Sequence, residues 1–309
     1  MKKWFVYIVY ISIVFLIIAL IRGHYLLIPI VYSVKDMVIC IVLLFSGFIF
    51  DALAWWKTLT SSGIRNISFK SALAGHGLSI LGKYIPGKFW IVIGRASYAA
   101  KESKRNGHEL ALISLTAQLI STWTSFLFGL IVFIFIPAGD YFIISVIALI
   151  LWLFLFAILF TGFFHTITGK LFGFLLKKKI TVPRISVATV IRIIPWYILT
   201  WSCWCISFYF LISAFLEVDI SIFSGLSFAL AATFGLVILI APGGLGVREG
   251  ILTGLLALWG LSAHDAATIA VTARIWFLAG EIFIFLLGFF ASGIIKRKAY
   301  LARNSSGIL

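Results

Sequence analysis

Residues 222–261 read IFSGLSFALAATFGLVILIAPGGLGVREGILTGLLALWGL, and their only charged residues are Arg248 and Glu249. An apolar stretch of this length is too long for one membrane crossing, which needs about 20 residues. It is also interrupted. Ala241-Pro-Gly-Gly-Leu-Gly246 divides it into parts of 19 and 15 residues. Proline and paired glycines break helices and free backbone polar groups. In hydrocarbon such groups must be satisfied by protein or by water in a cavity. The stretch therefore reads as two short crossings or as a hairpin entering from one side.

The rest of the chain has the same character. Of 309 residues, 62% are apolar and 11% charged, and the mean hydropathy is +1.15. A soluble domain would be about 45–50% apolar and about 25% charged. Further apolar runs are Trp4–Ile21, Met37–Trp56, Leu110–Ile136, Tyr141–Phe164, Ile191–Leu216 and Ala266–Gly293. No small-x-small cleavage site follows Ile21, so the first run is expected to be retained rather than removed as a signal peptide. Sustained period-2 alternation is absent, which argues against a β-barrel. The fold class expected is an all-α polytopic membrane protein, a single integral membrane domain over 1–309. About six full transmembrane helices and two broken or re-entrant hairpins make it up.

Net charge is +15. In a membrane protein this first reports topology. Lys2 and Lys3, nine basic residues between Lys57 and Arg105, six between Lys170 and Arg192, and four between Lys296 and Arg303 account for 21 of the 25 Lys and Arg. All fall in alternate connections, which the positive-inside rule places in the cytoplasm. Both termini are expected there, in a multi-pass protein of the plasma (cytoplasmic or inner) membrane.

A second interruption lies in Ser71–Ala100, where Gly82, Pro86 and Gly87 stand among Lys83, Lys88 and Arg95. Its reading stays open between a surface loop and a re-entrant hairpin. The two breaks resemble each other: Tyr84-Ile-Pro-Gly-Lys88 with Arg95 following, and Ile240-Ala-Pro-Gly-Gly244 with Arg248 following. The charge-derived directions of the flanking helices are opposite around the two breaks. That is the arrangement of an inverted-topology repeat, with halves about 37–136 and 191–293.

Ionisable groups at membrane depth tend to be paired or functional. Here they are Asp51, Arg248, Glu249, Arg274 and Glu281, with Lys83, Lys88 and Arg95 on the first break. Bases outnumber acids, which suits an anionic ligand such as a lipid phosphate. Lys83, Lys88, Arg95, Arg248 and Arg274 are the expected phosphate-binding residues. Pro86, Gly87, Pro242, Gly243, Gly244 and Gly246 would shape the backbone, and a glycine-rich break leading into a helix presents N–H groups to an anion. Glu249, Asp51 and Glu281 are expected as charge partners or proton carriers. Each of these charges could instead only brace the bundle.

Other patterns carry little. Gly77-Leu-Ser-Ile-Leu-Gly82-Lys83 has P-loop spacing, but Tyr84 replaces the magnesium-binding hydroxyl residue. The five histidines and three cysteines show no metal-ligand spacing, so no metal and no cofactor are expected. Gly246, Gly250 and Gly254 recur every fourth residue, as in close helix packing. No catalytic constellation stands out, and nucleic acid is not the expected partner.

Lys83-Tyr-Ile-Pro-Gly-Lys-Phe-Trp90 with Gly94-Arg95, Ala241-Pro-Gly-Gly-Leu-Gly-Val-Arg-Glu-Gly250 and Arg274 together resemble the flippase-like membrane domain of bacterial lysylphosphatidylglycerol synthases, the multiple peptide resistance factors. The resemblance covers nearly the whole chain. It implies transfer of a lipid between leaflets, in cell-envelope lipid or polysaccharide biogenesis. The bifunctional relatives carry a soluble aminoacyl transferase domain. This chain ends about 16 residues after its last apolar run, so that domain, and an enzyme activity with it, is not expected. In the family the first break often reads Pro-Gly, a small or acidic residue, then Arg. Lys88-Phe-Trp90 departs from that, so the headgroup is expected to differ. The expected function is a lipid transporter for an anionic phospholipid or a polyprenyl-phosphate-linked glycan, with a homodimer or envelope-biosynthesis proteins as further partners. Two other readings stay open: a membrane transferase acting on a lipid-linked sugar, and a non-transporting member of an envelope assembly complex.

Overall fold

A computed structural model describes residues 30–84, 90–136, 142–160, 187–237 and 246–305. Among these the chain is helical and contains no strand. The helices are α1 (Val34–Ser61), α2 (Phe69–Ser79), α3 (Trp90–Ser103), α4 (Gly107–Phe135), α5 (Phe142–Phe160), α6 (Val187–Phe215), α7 (Ser227–Val237), α8 (Val247–Leu258) and α9 (Ala263–Ser305). Short 3-10 turns cover Ile80–Tyr84 and Ile222–Leu226. The expected first run, Trp4–Ile21, lies outside the described residues.

Local chemistry sets the helix starts. Ser33, Ser68 and Asn106 cap α1, α2 and α4, accepting from the N–H groups of Asp36, Ser71 and His108. Asp36 and Glu109 add negative charge in the first turns, where the helix dipole favours it. Helix α4 stops just before Pro137.

Four helices are long and apolar enough to cross a membrane: Val34–Ser61, Gly107–Phe135, Ala188–Phe215 and the Ala263–Gly293 part of α9. Their buried faces meet around Phe48, Trp204, Phe208, Phe228, Trp276 and Phe277, whose rings touch one another. Helix α5 instead turns Ile143, Ile147, Ile150 and Phe154 outward, as a surface in lipid does.

Both interrupted segments fold as pairs of short helices. At 1.5 Å per residue, α2 and α7, of 11 residues each, are about 16 Å long. That is half of a hydrocarbon core about 30 Å thick. Every residue of α2 from Ser71 to Ser79 is buried except Leu73. The described part of the first interrupted segment before its break is thus packed inside the protein.

Packing between the segments is reciprocal. Helix α1 lies along α6, the most extensive pairing among the described helices. Helix α2 packs on α9, and α7 packs on α4. The α3–α4 and α8–α9 contacts match, as do α1–α9 and α6–α4. If α1–α4 correspond in order to α6–α9, these contacts form matching pairs, which is what a two-fold relation produces. A glycine permits each of the two exchanged crossings. A Cβ on Gly77 of α2 would strike the backbone of α9 at Ile284, and one on Gly129 of α4 would come within 2.9 Å of Leu230 Cα on α7.

Among the described residues the stripe of Gly246, Gly250 and Gly254 makes no helix contact of the kind its spacing suggested. Nothing described lies within 4 Å of a Cβ at any of the three. Helix α8 buries Arg248, Leu252, Leu255 and Leu256, so Gly250 and Gly254 fall on the outward side. Gly246 has φ +79°, a left-handed conformation that favours glycine, and it serves the turn into α8.

A candidate anion site in the bundle core

Arg274, Phe277 and Glu281 are spaced three and four residues apart on α9, so they form one stripe. The midpoint of Ala263–Gly293 is near residue 278, which puts Arg274 and Glu281 within about 6 Å of it along the axis. Both are buried, at 5% and 1% exposure.

Glu281 is fully engaged. Lys83 donates to one carboxylate oxygen. The Tyr84 hydroxyl donates to the other, at 2.7 Å. The last 3-10 turn before the first break is thereby tied to α9, and Lys83 also lies 4.8 Å from the Phe277 ring centroid. A buried carboxylate with both oxygens satisfied is affordable where a lone one is not.

Glu249, in the first turn of α8, faces two ways. Its Oε2 accepts from the Gly246 N–H at 2.7 Å and caps the helix. Its Oε1 stands 3.9 Å from Arg274 Nη1, within ion-pair range, and has no hydrogen-bond partner among the described residues. Arg274 also lies over the Tyr84 ring, 5.2 Å from its centroid.

Arg248, the neighbouring residue, reaches into the core. It is 7% exposed. Its guanidinium carbon sits 4.6 Å from the Phe228 centroid and 4.9 Å from that of Phe277. Such ring faces attract a cation, by about 0.5–2 kcal/mol depending on desolvation. Its Nη2, however, is buried without a hydrogen-bond partner among the described residues. Lys83, Arg248 and Arg274 lie close enough to repel one another. Among the described residues three cations thus face two carboxylates, leaving one net positive charge in a buried core. An oxyanion can hydrogen-bond to guanidinium groups in this setting with unusual strength.

Lys83, Arg248, Glu249, Arg274 and Glu281 are therefore brought together from three separate segments. Arg95 is placed elsewhere. It is 3% exposed on α3, with Nε donating to Ser114 Oγ at 2.6 Å and Nη2 to the Ser114 carbonyl at 2.5 Å. Its guanidinium also lies over Trp55. Asp51 on α1 faces His76 Nε2 on α2 at 3.3 Å. Lys88, Pro86, Gly87, Pro242, Gly243 and Gly244 lie outside the described residues. Among the described residues no group of three His, Cys, Asp or Glu could hold a metal ion.

Sequence reasoning passed over Tyr84, Phe228, Phe277 and His76. Tyr84 and Phe277 had a usable signal. One adjoins Lys83, and the other completes the Arg274–Glu281 stripe. Phe228 and His76 had none, because nothing in their spacing says what faces them.

No curated protein and no solved structure matches the chain. The family described as the lysylphosphatidylglycerol synthase TM region does match, over residues 4–288. With that match spanning most of its length, and with long apolar helices around a charged core, the chain is a multi-pass membrane protein belonging to the lysylphosphatidylglycerol synthase TM region family.

Proposed function

We propose that the protein is a lipid transporter, moving an anionic phospholipid or a polyprenyl-phosphate-linked glycan between leaflets of the plasma membrane during envelope lipid or polysaccharide biogenesis. The observation that carries this reading is the buried Arg248 guanidinium. It is held between two phenylalanine rings beside Arg274, with one nitrogen left without a partner among the described residues. A core that only needed bracing would have satisfied it, since an unmet buried donor costs about 1–3 kcal/mol. A lipid phosphate would meet both guanidinium groups, and the ring faces would exclude water from the contact.

The reciprocal packing supports an inverted repeat with α1–α4 and α6–α9 as its halves. In such a repeat, substrate sites lie where broken helices meet near the midplane, and rocking of one half on the other gives alternating access. Arg274 and Glu281 tie both breaks to one helix. We place both termini in the cytoplasm on the charge distribution. The protein acts without an enzymatic step in this reading, since the charged residues in the core are arranged to bind and not to activate a nucleophile.

The test is headgroup accessibility in proteoliposomes. Arg248→Gln combined with Arg274→Gln should abolish leaflet exchange of a fluorescent anionic phospholipid while leaving the protein folded. Wild-type exchange rates in that double variant would overturn the reading.

A further inference from the structure

We infer that this site, if it is the lipid phosphate site proposed above, selects ligands by charge: it takes a lipid carrying one negative charge on a phosphodiester and rejects phosphomonoesters and diphosphates. Glu249 is the residue that sets this selection.

The inference starts from the charges that share the core. Among the described residues, Lys83, Arg248 and Arg274 contribute three positive charges, and Glu249 and Glu281 two negative ones. Asp51 is also within electrostatic reach of Lys83, but it stands 3.3 Å from His76 and within reach of Arg95, whose opposite charge offsets it. One singly charged oxyanion neutralises the site. A second negative charge would have to be held in a low-dielectric core without a counter-charge, which is strongly unfavourable.

The two carboxylates differ in how firmly they are committed. Glu281 has both oxygens hydrogen-bonded, to Lys83 and to Tyr84. Removing its charge would strand a buried lysine. Glu249 uses one oxygen on the Gly246 N–H and leaves the other 3.9 Å from Arg274 with no hydrogen bond among the described residues. It stands where an anion bound to Arg274 would stand. It therefore both pre-neutralises Arg274 and repels a ligand that carries more than one charge. Glutamine in its place keeps an oxygen for the Gly246 N–H and removes only the charge.

The experiment titrates the full-length, detergent-purified protein with two lipids of equal acyl chains and follows tryptophan fluorescence. Dioctanoyl phosphatidylglycerol is a singly charged phosphodiester. Dioctanoyl phosphatidic acid, at about pH 8.5, is a monoester with close to two charges. Wild type should prefer phosphatidylglycerol by at least about ten-fold, as expected for one unmatched charge at this depth. E249Q should erase or reverse that preference. R274Q, which lowers the site's net charge by one, should move the ratio the other way and serves as the second variant if E249Q does not fold.

R248Q tests the underlying site and should weaken both lipids by about ten-fold or more. Unchanged binding of both lipids in R248Q would overturn the site itself. Weakened binding in R248Q, with the lipid ratio unmoved in E249Q and R274Q, would overturn only the charge selection. Glycerophosphoglycerol, the headgroup without acyl chains, should bind far more weakly than the lipid. Equal affinity would assign the site to a soluble phosphodiester and overturn the lipid assignment.

Discussion

Arg95 and Arg248 each follow a Pro-Gly pair in the sequence, each is buried on a short helix, and each lies over aromatic rings. Their surroundings separate them. Arg95 meets Ser114 on α4, which supplies a hydroxyl and a carbonyl at hydrogen-bond distance. Ser114 itself donates onward to the Val92 carbonyl, so α3, α4 and the guanidinium form one closed network. Arg248 meets Phe228 and Phe277, which attract its charge but offer no oxygen. Two arginines that follow similar breaks therefore differ in their bonding. One is bonded to a neighbouring helix, and the other has a buried guanidinium nitrogen without a hydrogen-bond partner among the described residues. Charge at membrane depth is not by itself a mark of function, and the partners decide.

The sharpest tests of this contrast are stability measurements. Glu281→Leu should have the largest effect, about 3–5 kcal/mol of destabilisation, because it leaves Lys83 charged and Tyr84 unmatched in the core. The check is denaturant unfolding in detergent, and Lys83→Met with Glu281→Leu together should cost much less than the two single changes added. Arg95→Gln should follow at about 2–3 kcal/mol, from lost charged hydrogen bonds to Ser114, with lipid affinity of the folded fraction unchanged. Gly77→Ala and Gly129→Ala should each cost about 1–3 kcal/mol by overpacking the two exchanged crossings, readable as a lower unfolding midpoint. Similar losses at both would sharpen the equivalence of the halves, and a loss at one alone would break it. Arg248→Gln should change stability by less than about 1 kcal/mol, since little is bonded to that group. A loss as large as that of Arg95→Gln would erase the contrast. The smallest effect belongs to Gly250→Ala, a gain of about 0.5–1 kcal/mol, because a methyl there meets none of the described residues and the helix gains rigidity.

The failed reading of the glycine stripe on α8 shows the limit of spacing. A four-residue period says that Gly246, Gly250 and Gly254 share a face, but not which face is buried. Leu252, Leu255 and Leu256 with Arg248 occupy the inner side, and in an apolar sequence both faces look equally fit for burial. The same ambiguity hid Phe228: with 30 phenylalanines in the chain, composition cannot say which one lies beneath an arginine.

Membrane residence, helical class and the two interruptions were determined by sequence alone. Hydropathy and helix-breaking residues act locally, and the bilayer's thickness converts run length directly into structure. The charged residues at depth were legible for the same reason, as rare types in apolar runs. What only the tertiary structure decided is which of them meet. Lys83 and Glu281 are 198 residues apart in the chain, and Arg95 and Arg248 differ through neighbours on other helices. Pairing across such distances is set by how short helices dock on long ones, and no local pattern encodes it.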